Sequence, residues 1–310
     1  MMKIEAAGPD RITWQDHDGP VLSSQNGYDV ITCAACGFAH AVPLPPPEEL
    51  SAEYSERYYR DEKPTYLSHA REDQAWARLS QDDRLDVLER LLPSSRRRLI
   101  DIGCGPGFFL QTACARGWQG EGLEPSQQAS DHARSLGLRV HQGFFSAERA
   151  GTLGRFDVVH MNNVLEHVPD PLTLLKAAYD LLEPGGFLVV GVPNDFSPLQ
   201  IAAAAQGLPH WWVAPPHHLN YFDFSSLSAV LERLGFVLRE RQTSFPMEMF
   251  LLMGENYTAE PALGRACHTR RKRFDLALAE TGLNEVRQHF YRVLADAGLG
   301  REAIIFAGRP

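Results

Sequence analysis

The stretch LIDIGCGPGFFL, residues 99–110, constrains this chain more than any other. Leu99-Ile100-Asp101-Ile102 has the mostly apolar character of a buried strand, and Gly103, Gly105 and Gly107 follow at once before a new apolar run. Glycine reaches backbone angles closed to other residues and lets a ligand approach the main chain, so this text predicts a ligand-facing turn from strand into helix. Taken alone, such a turn suits a dinucleotide pyrophosphate as well as other ligands. Two details move the reading away from a dinucleotide. The third glycine comes one residue early for G-x-G-x-x-G, and Asp101 puts an acid inside the strand, where its charge can hold a cationic ammonium.

Around this turn, short apolar stretches at 98–102, 119–123, 139–141, 156–160 and 187–191 alternate with helix-length segments. Such alternation predicts an α/β fold with a parallel sheet covered by helices on both faces, and ligands bind such sheets beyond the carboxyl ends of the strands. Pro43, Pro45, Pro46 and Pro47 mark a boundary after a small N-terminal segment, 1–47. Residues 48–92 read as a helical cap whose last helix carries Leu85, Leu88, Leu91 and Leu92 and stops at Pro93. The main domain is 93–310. Within it, 192–224 is too long and aromatic for a plain connection and reads as a lid, while 255–300 reads as a helical insertion broken near Gly282.

Further along, Gly122-Leu123-Glu124 ends the second strand in a carboxylate able to accept hydrogen bonds from both hydroxyls of a ribose. FDVVHMNNVLEHVPDP (156–171) and LLEPGGFLVVGVPN (181–194) complete the text. These residues resemble the class I S-adenosylmethionine-dependent methyltransferases, in particular the broad group that includes the quinone-biosynthesis O-methyltransferases, over about Leu85 to Arg241. The resemblance implies a Rossmann-like, doubly wound, seven-stranded and mostly parallel sheet with helical N-terminal and C-terminal additions. It implies S-adenosylmethionine as cofactor in a site that includes Asp101 and Gly107, with Gly103, Cys104 and Gly105 along the methionine part, Glu124 on the ribose and Pro125 and Ser126 beside the adenine. Asn162 and Asn163 would approach the amino group and sulfonium. Where the family often carries an acid on the adenine, this chain reads Gln142-Gly143-Phe144-Phe145, so Gln142 or a backbone carbonyl takes that place. Tyr58, Tyr59 and Tyr66 either fold over the cofactor or pack in the core.

A sulfonium is already an activated methyl donor, so orienting a small-molecule acceptor is the main task, and a hydroxyl acceptor also calls for a base. Three histidines qualify by position: His167 after the fourth strand, and His217 and His218 in PPHHLNYF. The last two are preferred, because Trp211, Trp212, Tyr221 and Phe222 crowd the same segment where a cover over the acceptor is expected. His167 fits better as a holder of a backbone carbonyl.

Cys33-Ala34-Ala35-Cys36-Gly37 has the spacing of half a zinc ribbon. It resembles the leader of deoxysugar C-methyltransferases, but Asp16-His17-Asp18 stands where a first cysteine pair belongs. A metal-free relic is therefore favoured over zinc held by Cys33, Cys36, His17 and His40.

Net charge is −9 and the one basic cluster, Arg270-Arg271-Lys272-Arg273, lies in a helix-like stretch, which argues against nucleic acid as a partner. Five cysteines form no disulfide framework, and neither a leader nor a membrane span is evident, so a cytoplasmic protein is expected, with a homodimer left open. Two other readings remain. A nicotinamide-dependent oxidoreductase shares the glycine turn and Glu124 but lacks an evident hydride-transfer site, and a non-catalytic adenosylmethionine-binding protein would lack turnover.

Overall fold

The computed structural model describes residues 11–46, 50 and 72–310. Tyr58, Tyr59 and Tyr66 lie outside the described residues. The chain begins with four antiparallel strands, β1 (Arg11–Trp14), β2 (His17–Gln25), β3 (Tyr28–Thr32) and β4 (Ala39–Val42). Helix α1 (Gln74–Leu91) then leads into β5 (Arg98–Ile102), α2 (Phe108–Ala115), β6 (Gln119–Glu124), α3 (Gln127–Ser135), β7 (Arg139–Gln142), α4 (Ala147–Leu153) and β8 (Phe156–Asn162). A 3₁₀ turn at Leu165–His167 precedes α5 (Pro171–Leu181) and β9 (Leu182–Pro193). The chain continues through α6 (Pro198–Ala205), β10 (Asn220–Tyr221), α7 (Phe224–Arg233), β11 (Val237–Gln242) and α8 (Glu248–Leu252), and closes with α9 (Pro261–Glu280), α10 (Asn284–Asp296) and β12 (Glu302–Gly308).

Seven strands form the central sheet in the order β11-β12-β9-β8-β5-β6-β7. Strands β5 to β9 run parallel, and β12 runs antiparallel to both of its neighbours. This is the doubly wound sheet expected from the alternation. Its two faces follow the two-residue period of a strand. Leu99, Val158, Val189 and Phe306 pack with α1, α2 and α3, whereas Ile100, Val159, Val190 and Ile305 pack with α4, α5 and α7. Asp101 falls on the α1 face, in register with His160 of the neighbouring strand.

The N-terminal strands continue into the main domain. Strand β10 adds to the edge of β4, giving a second sheet ordered β1-β2-β3-β4-β10, so the stretch 192–224 ends as part of that sheet. Ile31, Cys33, Phe38 and Val42 join the core beneath α5 and α7, and Phe38 packs on Phe222 with ring centroids 4.6 Å apart.

Helices α9 and α10 brace α1. Trp76 donates to Asp275, Asp73 receives His268 and Lys272, and Arg287 makes two bonds to Asp83. Arg271 stacks over Trp76, and Arg270 pairs with Glu255. Three of the four residues of the basic cluster thus have structural partners, because the helix docks beside the acidic start of α1 and Glu255.

Candidate active site

One large cavity, of about 1110 Å³, opens at the carboxyl ends of β5, β6 and β8. Ligand pockets typically span about 300 to 1,000 Å³, so this one has room for two molecules of moderate size. Its walls are the α1 stretch 73–84, the glycine turn, Glu124 and Pro125, Gly143 to Phe145, and Asn162 to Val168.

The glycine turn is shaped by backbone geometry. Gly103 has φ +71°, and a Cβ there would lie 2.6 Å from Val164 Cγ2. Gly107 has φ +88° and starts α2, and a Cβ there would meet Leu138 and Ala133 within 2.8 Å. No side chain satisfies both the left-handed angle and this spacing. Gly107 therefore serves the turn and the packing of α2, and is not on the cavity wall. Gly103, Cys104 and Gly105 are on it.

Glu124 is 5% exposed. Its Oε2 accepts from the Gly105 amide and its Oε1 from the Ser126 amide, both at 2.9 Å. Burial pushes its carboxyl up to about 7, against the pull of those two N–H groups. Each carboxylate oxygen has two acceptor sites, so both can still receive a ligand hydroxyl.

Asp101 and His160 form a buried pair, with Oδ1 to Nδ1 at 2.6 Å, and Phe109 stacks on the imidazole at 3.8 Å between ring centroids. Burial holds His160 below the ordinary imidazole value, opposed by Asp101 and reinforced by Arg84. Because the carboxylate only accepts, His160 Nδ1 carries the proton and Nε2 faces Arg84 Nη1 at 3.4 Å. Arg84 is 6% exposed, burial lowers its pKa, and its buried Nε has no hydrogen-bond partner among the described residues. Asn162 Oδ1, also from a lining residue, is likewise buried without a partner among the described residues, and Asn163 adopts φ +55°. A buried donor and a buried acceptor left unmade are costly, and a ligand bearing the opposite groups relieves both.

Sequence reasoning missed Arg84. Its signal was an arginine at helical spacing with Leu88 and Leu91, on the face that the apolar stripe marks as buried.

His167 lies on the wall, whereas His217 and His218 do not. His167 Nδ1 donates to the His217 carbonyl at 2.7 Å, which leaves Nε2 as the lone-pair nitrogen. His217 is exposed and His218 sets its ring edge-on to His167 at 5.0 Å. His167 thus holds a backbone carbonyl, as expected, and the preferred pair, His217 and His218, stands behind it off the wall. Ligand atoms of Glu166, His167 and His218 lie within 4.8 Å of one another, close enough to hold a metal ion.

The aromatic residues expected over the acceptor lie elsewhere. Trp212 and Tyr221 pack with Val30, Ala39 and Val213 into a small core that joins the N-terminal sheet to the loop, with Trp211 and Phe196 against it. Gln142 is also off the wall. Exposed at the end of β7, it yields the place to Gly143, Phe144 and Phe145, and Phe144 keeps 45% of its surface exposed beside the cavity. Cys33 and Cys36 lie outside the cavity in company with His17 and His40.

Comparison with known proteins gives three findings. A family model described as a methyltransferase domain matches residues 69–241, over half of the chain. Among curated proteins, a ubiquinone biosynthesis O-methyltransferase of Cereibacter sphaeroides is 37% identical over 121 residues, covering 37% of this chain and 49% of its own. One of the same name from Ruegeria pomeroyi is 33% identical over 163 residues, covering 47% and 65%. The chain thus spans about half to two thirds of the length of these relatives. Among solved structures, the plantazolicin methyltransferase BpumL, in complex with a monoazolic desmethylPZN analog and SAH, superposes with a TM-score of 0.50 at 14% identity. That match covers 84% of this chain and 96% of the other, and at such low identity it bears on the fold alone.

Proposed function

The chain belongs to the methyltransferase-domain family, and on that premise we propose that it transfers a methyl group from S-adenosylmethionine to a hydroxyl of a small molecule. Bound in the cavity, the cofactor supplies a methyl group already activated on sulfur. The chain's own residues bind it, orient the acceptor and exclude water.

The observation that carries this reading is a pair of buried groups without a hydrogen-bond partner among the described residues, Arg84 Nε and Asn162 Oδ1, from residues that line the cavity together with Asp101 and Glu124. An amino-acid end needs a cationic donor for its carboxylate and acceptors for its ammonium, and Arg84 with Asp101 and Asn162 provides them. Glu124 suits the ribose hydroxyls, and the Phe144 ring suits the face of an adenine.

On the acceptor side, His167 is the candidate base. His167 lines the cavity, and with Nδ1 given to the His217 carbonyl its Nε2, 3.7 Å from Glu166 Oε1, is the nitrogen that can take up a proton. The relatives' names support oxygen as the atom methylated. A sugar or glycan hydroxyl remains a proposal beside a phenolic one. The test is to incubate the purified chain with S-adenosylmethionine and a panel of catechols and nucleotide sugars, following S-adenosylhomocysteine and methylated product. Product from either class supports the reading and names the acceptor. Tight cofactor binding with no turnover on any acceptor would favour a non-catalytic binder, and reduction or oxidation of a nicotinamide cofactor would replace the reading altogether.

A further inference from the structure

Outside the cavity, the N-terminal sheet gathers four side chains that the methyl-transfer reading does not use. His17 opens β2, Cys33 and Cys36 sit in the turn between β3 and β4, and His40 lies in β4. Their ligand atoms all lie within 4.8 Å of one another. His17 Nδ1 is 3.5 Å from Cys33 Sγ and 3.4 Å from Cys36 Sγ. A tetrahedral zinc ion with Zn–N near 2.0 Å and Zn–S near 2.3 Å requires a nitrogen-to-sulfur separation of about 3.5 Å.

The turn itself is prepared for thiolates. The Cys36 amide donates to Cys33 Sγ at 3.4 Å, and the Gly37 amide donates to the Cys33 carbonyl at 2.9 Å with Gly37 at φ +84°. His40 adds an independent observation. It is 4% exposed, its Nδ1 donates to the Ala41 carbonyl at 3.1 Å, and its Nε2 is buried with no hydrogen-bond partner among the described residues. A ring held by a carbonyl on one nitrogen presents the other to a metal. Two thiolates neutralise a divalent ion in so buried a place, and a set of two sulfurs and two imidazoles favours zinc over magnesium or calcium.

We propose that Cys33, Cys36, His17 and His40 bind one structural zinc ion, which fastens the N-terminal sheet behind the acceptor wall of the cavity. The connection is continuous. Next to His40, the Ala41 amide donates to the Leu219 carbonyl at 2.8 Å, and the Leu219 amide donates to the Glu166 carbonyl at 2.7 Å. Asn220 donates to the carbonyls of Leu165 and Val168 at 2.8 and 2.7 Å, and Arg233 of α7 donates to the Cys36 carbonyl. The metal thus lies one strand away from the turn that carries His167. The proposal rests on residues that need no methyl donor, so its failure is distinguishable from failure of the functional reading.

The test starts with elemental analysis of the full chain purified without chelator, which should contain about one zinc per chain, falling below about a tenth in C33S/C36S. That variant can fail to fold, so the wild-type chain is also loaded with cobalt, whose thiolate-to-metal absorption reports tetrahedral sulfur ligation. Chelation should then raise deuterium exchange of residues 17–42 and 215–222 while S-adenosylhomocysteine affinity changes less than about threefold. A folded metal-free chain, or a Cys33–Cys36 disulfide in its place, overturns the site. Exchange unaltered by chelation overturns the fastening role.

Discussion

Three consecutive elements, β5, the glycine turn and β6, supply one wall of the cavity within residues 101–125, whereas the facing wall is gathered from α1, the 3₁₀ turn at Leu165–His167 and the strands behind it. The first wall is held by central strands of the sheet and by short-range bonds such as Gly105 and Ser126 to Glu124. The second depends on partners far apart in sequence, including Asn220 on the 3₁₀ turn and Ala41 on Leu219. The difference teaches that the wall within 101–125 is fixed by a local pattern, while the facing wall depends on supports drawn from distant parts of the chain.

The sharpest way to separate the walls is H167A. Removing a positioned base costs about 10² to 10⁴-fold in turnover, while cofactor affinity should stay within a few fold. The corresponding substitutions at His217 and His218 should cost less, and equal losses at all three would break the assignment of His167 in single-turnover measurements. E124A attacks the other wall, and should weaken S-adenosylmethionine by about 1.5 to 3 kcal/mol through loss of charge-assisted bonds. Calorimetry that returned an unchanged affinity would remove Glu124 from the ribose site.

N220A leaves the buried carbonyls of Leu165 and Val168 without a donor, and should lower unfolding free energy by about 1 to 3 kcal/mol in urea titration. Its cofactor affinity should hold. A loss of affinity as large as that of E124A would mean the walls are not separable.

The smallest effect is the pH dependence. Glu124 must be ionised to receive two hydroxyls, so affinity should fall as pH drops through about 7, by up to about tenfold per unit. Stability of the ligand-free chain runs the other way. A carboxyl raised from 4.5 to about 7 stabilises the fold fully below 4.5, and that contribution is lost as pH rises through about 7. Asp195, raised to about 7 chiefly by burial, has the same sign. Affinity that stayed flat between about pH 8 and pH 6 would contradict the ionised-acceptor role.

What could be read in the residues follows the same division. The central sheet, the glycine turn and the buried carboxylate of Glu124 were legible because each is written in a short run with one physical reason, strand periodicity or a glycine angle. Arg84 was hidden because it sits beside Leu85 and Leu88 on a helix whose apolar stripe masks it. Trp212 and Tyr221 were misjudged because an aromatic cluster reads alike whether it covers a ligand or glues two sheets, and β10 is two residues long, too short for any period. His217 and His218 stand out by composition, whereas their place behind His167 is set by the turn at 214–219. The four side chains of the N-terminal sheet were each visible, yet His17 and His40 became a convincing pair with the cysteines only once β2 and β4 brought them together.

The central claim is that the cavity is an adenosylmethionine site. Calorimetric titration of the purified chain with S-adenosylmethionine, S-adenosylhomocysteine and NAD tests it most directly. The account predicts binding of both sulfur ligands in the low micromolar range with none of NAD, and binding of NAD alone would contradict it.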